Sequence, residues 1–258
     1  MKSGSLVAAV NIGFMLLLVV SITAEAAELK VLSTPAMQTV LEDVEQKFER
    51  VTGHKLAFTF APTRAIVKRV QDGETADVIV IPRQEIDSFV KDGKAVAGNV
   101  TVFASSVMGV AVRKGTPKPD ISSPEALKAT LLAAKSISYS ASGGADTAHV
   151  VNVLERLGVA NKMKSKTVFS KTRPGRAGDM VARGEAEIGM GTVDGFIAEP
   201  GLDIVGPLPG DLQGSIVYAA AILSGTKSAE ASKALVDFLR KPEAAAVIKA
   251  TGMEPATP

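Results

Sequence analysis

The chain has no cysteine and no tryptophan, two tyrosines and two histidines in 258 residues. Without cysteine there is no disulfide, no thiolate to act as nucleophile or metal ligand and no attachment point for a lipid anchor. The histidines, His54 and His149, have no second His or Cys at ligand spacing, so they read as surface or packing residues and no metal is called for. Aromatic residues are 4% of the chain, which leaves few platforms on which a base or sugar could stack. Charge of one sign is lacking too: 29 basic against 27 acidic residues give +2, and nothing in that balance calls for nucleic acid. The phosphate-loop, zinc-protease, nucleophile-elbow and dinucleotide signatures are all missing. Two S-x-x-K matches, Ser88 to Lys91 and Ser224 to Lys227, lack their companion boxes and read as chance. These absences disfavour a hydrolase, a metalloenzyme and a cofactor enzyme, and the chain reads as one without catalytic activity or cofactor.

Long hydrophobic runs are lacking after residue 22. Before it, Lys2 precedes an apolar stretch from Leu6 to Ile22, followed by Ala24, Glu25, Ala26 and Ala27. A positive start, an apolar middle and an A-x-A site make a secretory signal, cleaved after Ala26, and place the mature protein in the periplasm. An uncleaved anchor is the rival, because the stretch approaches the roughly 17-residue minimum for a span. Cleavage is favoured because the small-residue site follows directly and no cationic flank does.

The rest is an alternation of strand and helix periods. Expected elements are a strand Glu28 to Leu32, a helix Met37 to Val51, a strand Lys55 to Phe60, a helix Arg64 to Gln71 and a strand Ala76 to Ile81. Met37, Val40, Leu41, Val44, Phe48 and Val51 form one apolar helix stripe, with Thr34 as cap, Pro35 in the first turn and Gly53 at the end. Val78 to Ile81 is apolar throughout, as in a strand covered on both faces. Val100 to Arg113 is too long for one ordinary strand and can pass from one sheet into another. The pattern then restarts: a helix from Pro124 capped by Ser123, a strand Ser136 to Ser140, a helix Thr147 to Leu157 ended by Gly158, and a strand near Thr167 to Phe169. Ile216 to Leu223 can cross back, and helices Ala229 to Arg240 and Pro242 to Ala250 close the chain. The expectation is an α/β fold of two lobes with mainly parallel sheets, joined by two crossing strands around a hinged cleft. Residues 27–104 with 218–258 would form lobe 1 and residues 105–217 lobe 2.

Three hydroxyl- or glycine-rich loops precede helices: Ser33-Thr34-Pro35-Ala36, Ala61-Pro62-Thr63-Arg64 and Ser140-Ala141-Ser142-Gly143-Gly144. Singly they are ordinary turn chemistry. Together, in corresponding places of two α/β units, they point backbone N–H groups and hydroxyls at one anion. The run from Lys162 to Arg176 holds six basic and no acidic residues and reads as a solvated face.

Scaffold segments spread over nearly the whole mature chain carry a family resemblance. They include Phe48-Glu49-Arg50-Val51-Thr52-Gly53, Ala76-Asp77-Val78-Ile79-Val80, Leu154-Glu155-Arg156-Leu157-Gly158, Val181-Ala182-Arg183-Gly184-Glu185 and Thr251-Gly252-Met253-Glu254-Pro255. In these the chain resembles the periplasmic molybdate-binding proteins, substrate-binding subunits of ABC importers with the type II periplasmic binding protein fold. The resemblance implies an oxyanion held between two lobes by hydroxyls and backbone N–H groups. Its site departs from that pattern. Ala36 stands where a Ser is usual, with Thr34 nearby; Thr63 keeps a hydroxyl, but Arg64 replaces a Gly; Ser140, Ser142, Gly143 and Gly144 match broadly; Asp194 stands where a Ser or Tyr is common. Arg64 suits a carboxylate or phosphate better than a tetrahedral metal oxyanion. It is expected to engage an anionic group, with Asp194 pairing to Arg64 or accepting from a ligand donor; the plainer alternative has Arg64 in solvent and Asp194 capping a turn. The expected function is a monomeric periplasmic binding protein that captures a small anion, molybdate-like or organic, and delivers it to an ABC permease in the inner membrane. The rival is an exported sensing or scavenging module not coupled to transport.

Overall fold

The computed structural model describes residues 26–171 and 176–256. The expected leader therefore lies outside the described residues, apart from Ala26, as does part of the basic run ending at Arg176. Among the described residues no helix is long and apolar enough to cross a membrane.

The first unit follows the expected order closely. Strand β1 (Glu28–Ser33) leads through a 3-10 turn (Pro35–Met37) into helix α1 (Gln38–Thr52), then come β2 (Lys55–Phe60), α2 (Thr63–Gln71), β3 (Val78–Pro82) and α3 (Arg83–Lys91). Val40, Leu41, Val44 and Phe48 form the buried stripe of α1, but Val51, counted with them by its spacing, is 62% exposed because it lies in the last turn beyond the core's edge. Gly53 ends the helix at φ 76°, a left-handed conformation that a β-carbon would strain. Thr34 makes no side-chain capping bond, because Pro35 opens a 3-10 turn there. As the continuous apolar run required, β3 is buried on both faces: Val78 and Val80 pack with α1, and Ile79 and Ile81 with Ile66 of α2 and Phe89 of α3.

Strand β4 runs from Ala95 to Arg113. Its first part, to Val107, pairs antiparallel with β8 (Ser215–Leu223), and Met108 to Arg113 pairs with β6 (Ile188–Thr192) and β7 (Leu202–Pro207). One strand thus belongs to both lobes, and β8 returns the chain to the first. The second lobe contains α4 (Pro124–Ala133), β5 (Ile137–Ser138), α5 (Ala145–Arg156), the short helices α6 (Ala160–Lys164) and α7 (Ala177–Ala182), and α8 (Val193–Ile197) after β6. Helices α9 (Ala229–Phe238) and α10 (Pro242–Ala250) and the strand β9 (Glu254–Pro255) complete the chain. The strand order is β2-β1-β3-β8-β4-β6-β5, with β7 and β9 also on β4. Pairs β1–β2, β1–β3 and β5–β6 are parallel; every antiparallel pair involves β4 or β8.

Ser123 caps α4 as expected, its Oγ accepting from the Ala126 amide at 3.1 Å. The strand expected near Thr167 is only an isolated bridge from Thr167 to Ile137, and the one expected at Ser136 to Ser140 shrinks to Ile137–Ser138. Gly109 marks the entry of β4 into the second lobe. A β-carbon there would lie 2.8 Å from both the Gly206 carbonyl oxygen and Val193, so this passage needs a residue without a side chain.

Candidate functional site

A cavity of about 940 Å³ opens between the lobes, at the ends of the strands from which the helices start. The first lobe contributes Thr34 and Ala36 from the turn before α1, Thr63 and Arg64 from the start of α2, and Tyr218 from β8. The second contributes Ser142, Gly144 and Asp146 around the start of α5, Arg176 and Gly178 at the start of α7, and Thr192 and Asp194 where β6 passes into α8. Of the residues expected from the sequence, Thr34, Ala36, Thr63, Arg64, Ser142, Gly144 and Asp194 line this one space. Ser140 and Gly143 do not line it and stand behind it: the Ser140 hydroxyl lies 2.8 Å from that of Ser142, its carbonyl accepts from Thr147, and Gly143 holds φ 69°.

Arg64 reaches across the cleft. A β-carbon built on Gly143 would be 3.5 Å from Arg64 Cζ and 3.6 Å from both terminal nitrogens, so the guanidinium lies face-on above Gly143, at the wall of the space that Arg64 lines. Among the described residues it has no carboxylate partner; the pairing of Arg64 with Asp194 is absent. Two helix starts, those of α2 and α5, face the same space and add partial positive charge.

Asp194 is 8% exposed, in the first turn of α8, and its Oδ1 is buried without a hydrogen-bond partner. Burial pushes its carboxyl above the usual carboxylate range; the hydroxyls of Ser106 and Thr192 and its own amide draw it part of the way back, and the charge of Asp146 pushes it up again. Tyr218, 3% exposed, is also driven upward, by burial first and then by the charges of Asp194 and Asp146. The Ser106 hydroxyl is near enough to both groups to favour their ionised forms, yet its oxygen has no well-aligned partner.

This shift couples stability to pH. The folded carboxyl of Asp194 titrates above its unfolded value, so the native state binds its proton more tightly. The stabilisation this gives is complete below the unfolded pKa and is lost as pH rises through the folded one. Asp194→Asn, which cannot ionise, is expected to melt higher than the parent at about pH 8 and to lose that advantage at about pH 4. Calorimetric melting of both proteins at the two pH values checks this; an advantage that does not grow with pH would refute it.

Asp43, Asp146, Arg176 and Tyr218 also line the cavity and were not singled out from the sequence. Asp146 follows Gly144 in the first turn of α5, where an acidic residue ordinarily reads as complement to the helix dipole. Tyr218 hides in an apolar run. Both histidines have structural places: His54 Nδ1 accepts from the Ala27 amide at 3.2 Å, and His149 Nε2 is 3.0 Å from the Leu212 carbonyl oxygen. Among the described residues no cluster of three metal-ligating side chains occurs.

Two α/β lobes, two connecting strands and a cleft lined by helix starts define the class of hinged ligand-binding proteins. Residues 29–254 match the bacterial extracellular solute-binding proteins, and the chain belongs to that family. It is 34% identical over 235 residues to an aconitate isomerase of a Pseudomonas species, covering 88% of this chain and 87% of that one. It is 30% identical over 239 residues to a molybdate-binding protein of Azotobacter vinelandii, covering 89% and 90%. Among solved structures, the substrate-binding domain of a molybdenum ABC transporter from Clostridium difficile superposes with a TM-score of 0.73 at 14% identity, over 90% of this chain and all of that one. That likeness is one of fold. The expected kinship with molybdate-binding proteins is thus present. The expectation of a protein without catalytic activity agrees with most of the named relatives and not with the aconitate isomerase.

Proposed function

We propose that the chain is an exported, monomeric binding protein that closes its two lobes on a small organic polyanion and delivers it to an inner-membrane ABC permease. The observation that carries this reading is Arg64, a planar five-donor fork in the cleft with no carboxylate of the described residues engaged to it. A tetrahedral metal oxyanion fits less well, because it would fill a small part of a space near the upper end of the roughly 300–1,000 Å³ typical of small-molecule sites. A tricarboxylate uses the room, offers one carboxylate to Arg64 and others to the helix starts, and the aconitate named in the 34% identical relative is of this class. Export by cleavage after Ala26 and the ligand roles of Thr34, Thr63, Ser142 and Gly144 belong to the same reading.

Closure would bend the two connecting strands at one rung. Ala104 is the register partner of Tyr218 and Ser105 that of Val217, so a bend at the expected boundaries, 104/105 and 217/218, would fall at one place on the β4–β8 ladder. The test is calorimetric titration of residues 27–258 with molybdate, tungstate, sulfate, phosphate, citrate and the two aconitate isomers. The expected result is saturable binding of a tricarboxylate and none of molybdate; tight molybdate binding alone would overturn the reading.

A further inference from the structure

Capture alone leaves two features of the cleft without a use. Asp146 is half-buried at its wall, with no hydrogen bond or ion pair among the described residues, and Asp194 is buried at its floor with Oδ1 unpartnered. Asp146, Asp194 and Tyr218 line the same cavity, and the charge of Asp146 acts on the carboxyl of Asp194 while both act on the phenol of Tyr218. Arg64 lies over Gly143, three residues before Asp146, which brings a carboxylate held by the guanidinium up to the start of α5.

We propose that this cleft catalyses a double-bond shift in an unsaturated polycarboxylate, with Asp146 taking a proton from the methylene carbon beside the alkene and Asp194 delivering one to the far alkene carbon. The inference rests on the polycarboxylate reading above and adds a reaction to it. In the first step the Asp146 carboxylate accepts the proton, and the C–H electron pair passes into the adjacent alkene and its carboxylate, giving a delocalised dienolate. In the second the dienolate takes the proton of the Asp194 carboxyl at its other end. One C–H bond breaks, one forms and the double bond moves by one position. The torsion about the former C–C single bond when the proton leaves sets the geometry of the new double bond, so a bound conformer with that bond turned gives the geometric isomer. No electrons are gained or lost and no co-reactant is consumed. Asp146 then holds a proton that Asp194 lacks, and exchange with water at the open cleft restores both.

The environments of the two groups suit these roles. Burial holds Asp194 toward its protonated form, as an acid requires, whereas Asp146 is reached by solvent and its oxygens are not occupied by any described side chain. Tyr218, kept neutral by the same surroundings, can donate its O–H to the dienolate.

The experiment incubates residues 27–258 with cis-aconitate in D2O and follows isomer and deuterium content by NMR, with calorimetric Kd measured in parallel. The wild type is expected to form the trans isomer with deuterium on carbon. Asp146→Asn and Asp194→Asn are each expected to lose about 100-fold or more in kcat while Kd stays within about threefold. Wild-type binding without conversion or deuterium uptake overturns the reaction and leaves the capture reading standing; absence of binding overturns capture itself. An Asn variant that keeps kcat within a few-fold overturns the role of that residue. The wild-type pH–rate profile needs no variant: a bell supports an acid and a base working together, and a flat profile refutes the pair.

Discussion

Arg64→Ala is expected to weaken tricarboxylate binding by about 100-fold, with little change in melting temperature. The guanidinium has no carboxylate partner among the described residues, so folding does not depend on it, and its loss leaves no buried charge behind. In the liganded cleft, by contrast, it would make two charge-assisted hydrogen bonds to one carboxylate, each of about 1.5–3 kcal/mol, and about 3 kcal/mol in all corresponds to roughly a hundredfold in Kd. Arg64→Lys restores the charge but not the fork, and is expected to recover only part of the affinity. Titration calorimetry on the three proteins separates these effects. Equal affinities for the parent and the Arg64→Ala variant would mean that the guanidinium points away from the ligand when the lobes close. The stacking over Gly143 gives a second handle, since at φ 69° any side chain is strained and a β-carbon would press on the guanidinium.

Much of the scaffold was legible because it is written in local periodicity. The stripe of α1, the doubly covered β3, the over-long β4 and the Ser123 cap each follow from residues a few positions apart. The errors arose where long-range context overrides local pattern. Val51 fits the helical spacing, yet the core ends before it; Thr34 has the right side chain for a cap, yet Pro35 turns the chain into a 3-10 geometry first. The short helices α6, α7 and α8 carry too few residues to show a period at all. At the site, Arg64 stood out because it breaks an expected pattern of small residues. Asp146 and Tyr218 did not, because a first-turn acid and an aromatic in an apolar strand are ordinary until the fold places them on one cavity. That Arg64 and Asp194 share the cleft without pairing was likewise beyond local reading: Arg64 is carried by α2 and Asp194 by α8, and the distance between those elements is set by the whole lobe arrangement.

Phe48→Ala is expected to be the most damaging single substitution for stability and to leave ligand affinity nearly unchanged. Phe48 is fully buried on α1, and its ring meets Phe238 of α9 edge to face at a centroid distance of 5.6 Å. Truncation removes a large apolar surface and opens a cavity between two helices that other side chains cannot fill, at a cost of about 3–5 kcal/mol. For a domain of this size that corresponds to a fall in melting temperature of about 10 °C. The helix start that faces the cleft, by contrast, is fixed by Met37 and Val40, both fully or almost fully buried, and by the Thr34 amide donating to the Val80 carbonyl at 3.2 Å. The loss at Phe48 lies at the other end of α1, so titration well below the lowered melting point is expected to give a Kd within about twofold of the parent. A parallel collapse of affinity would show instead that the first lobe's packing and its cleft form one cooperative unit, with the site's geometry held by the whole of α1 and not by its first turn.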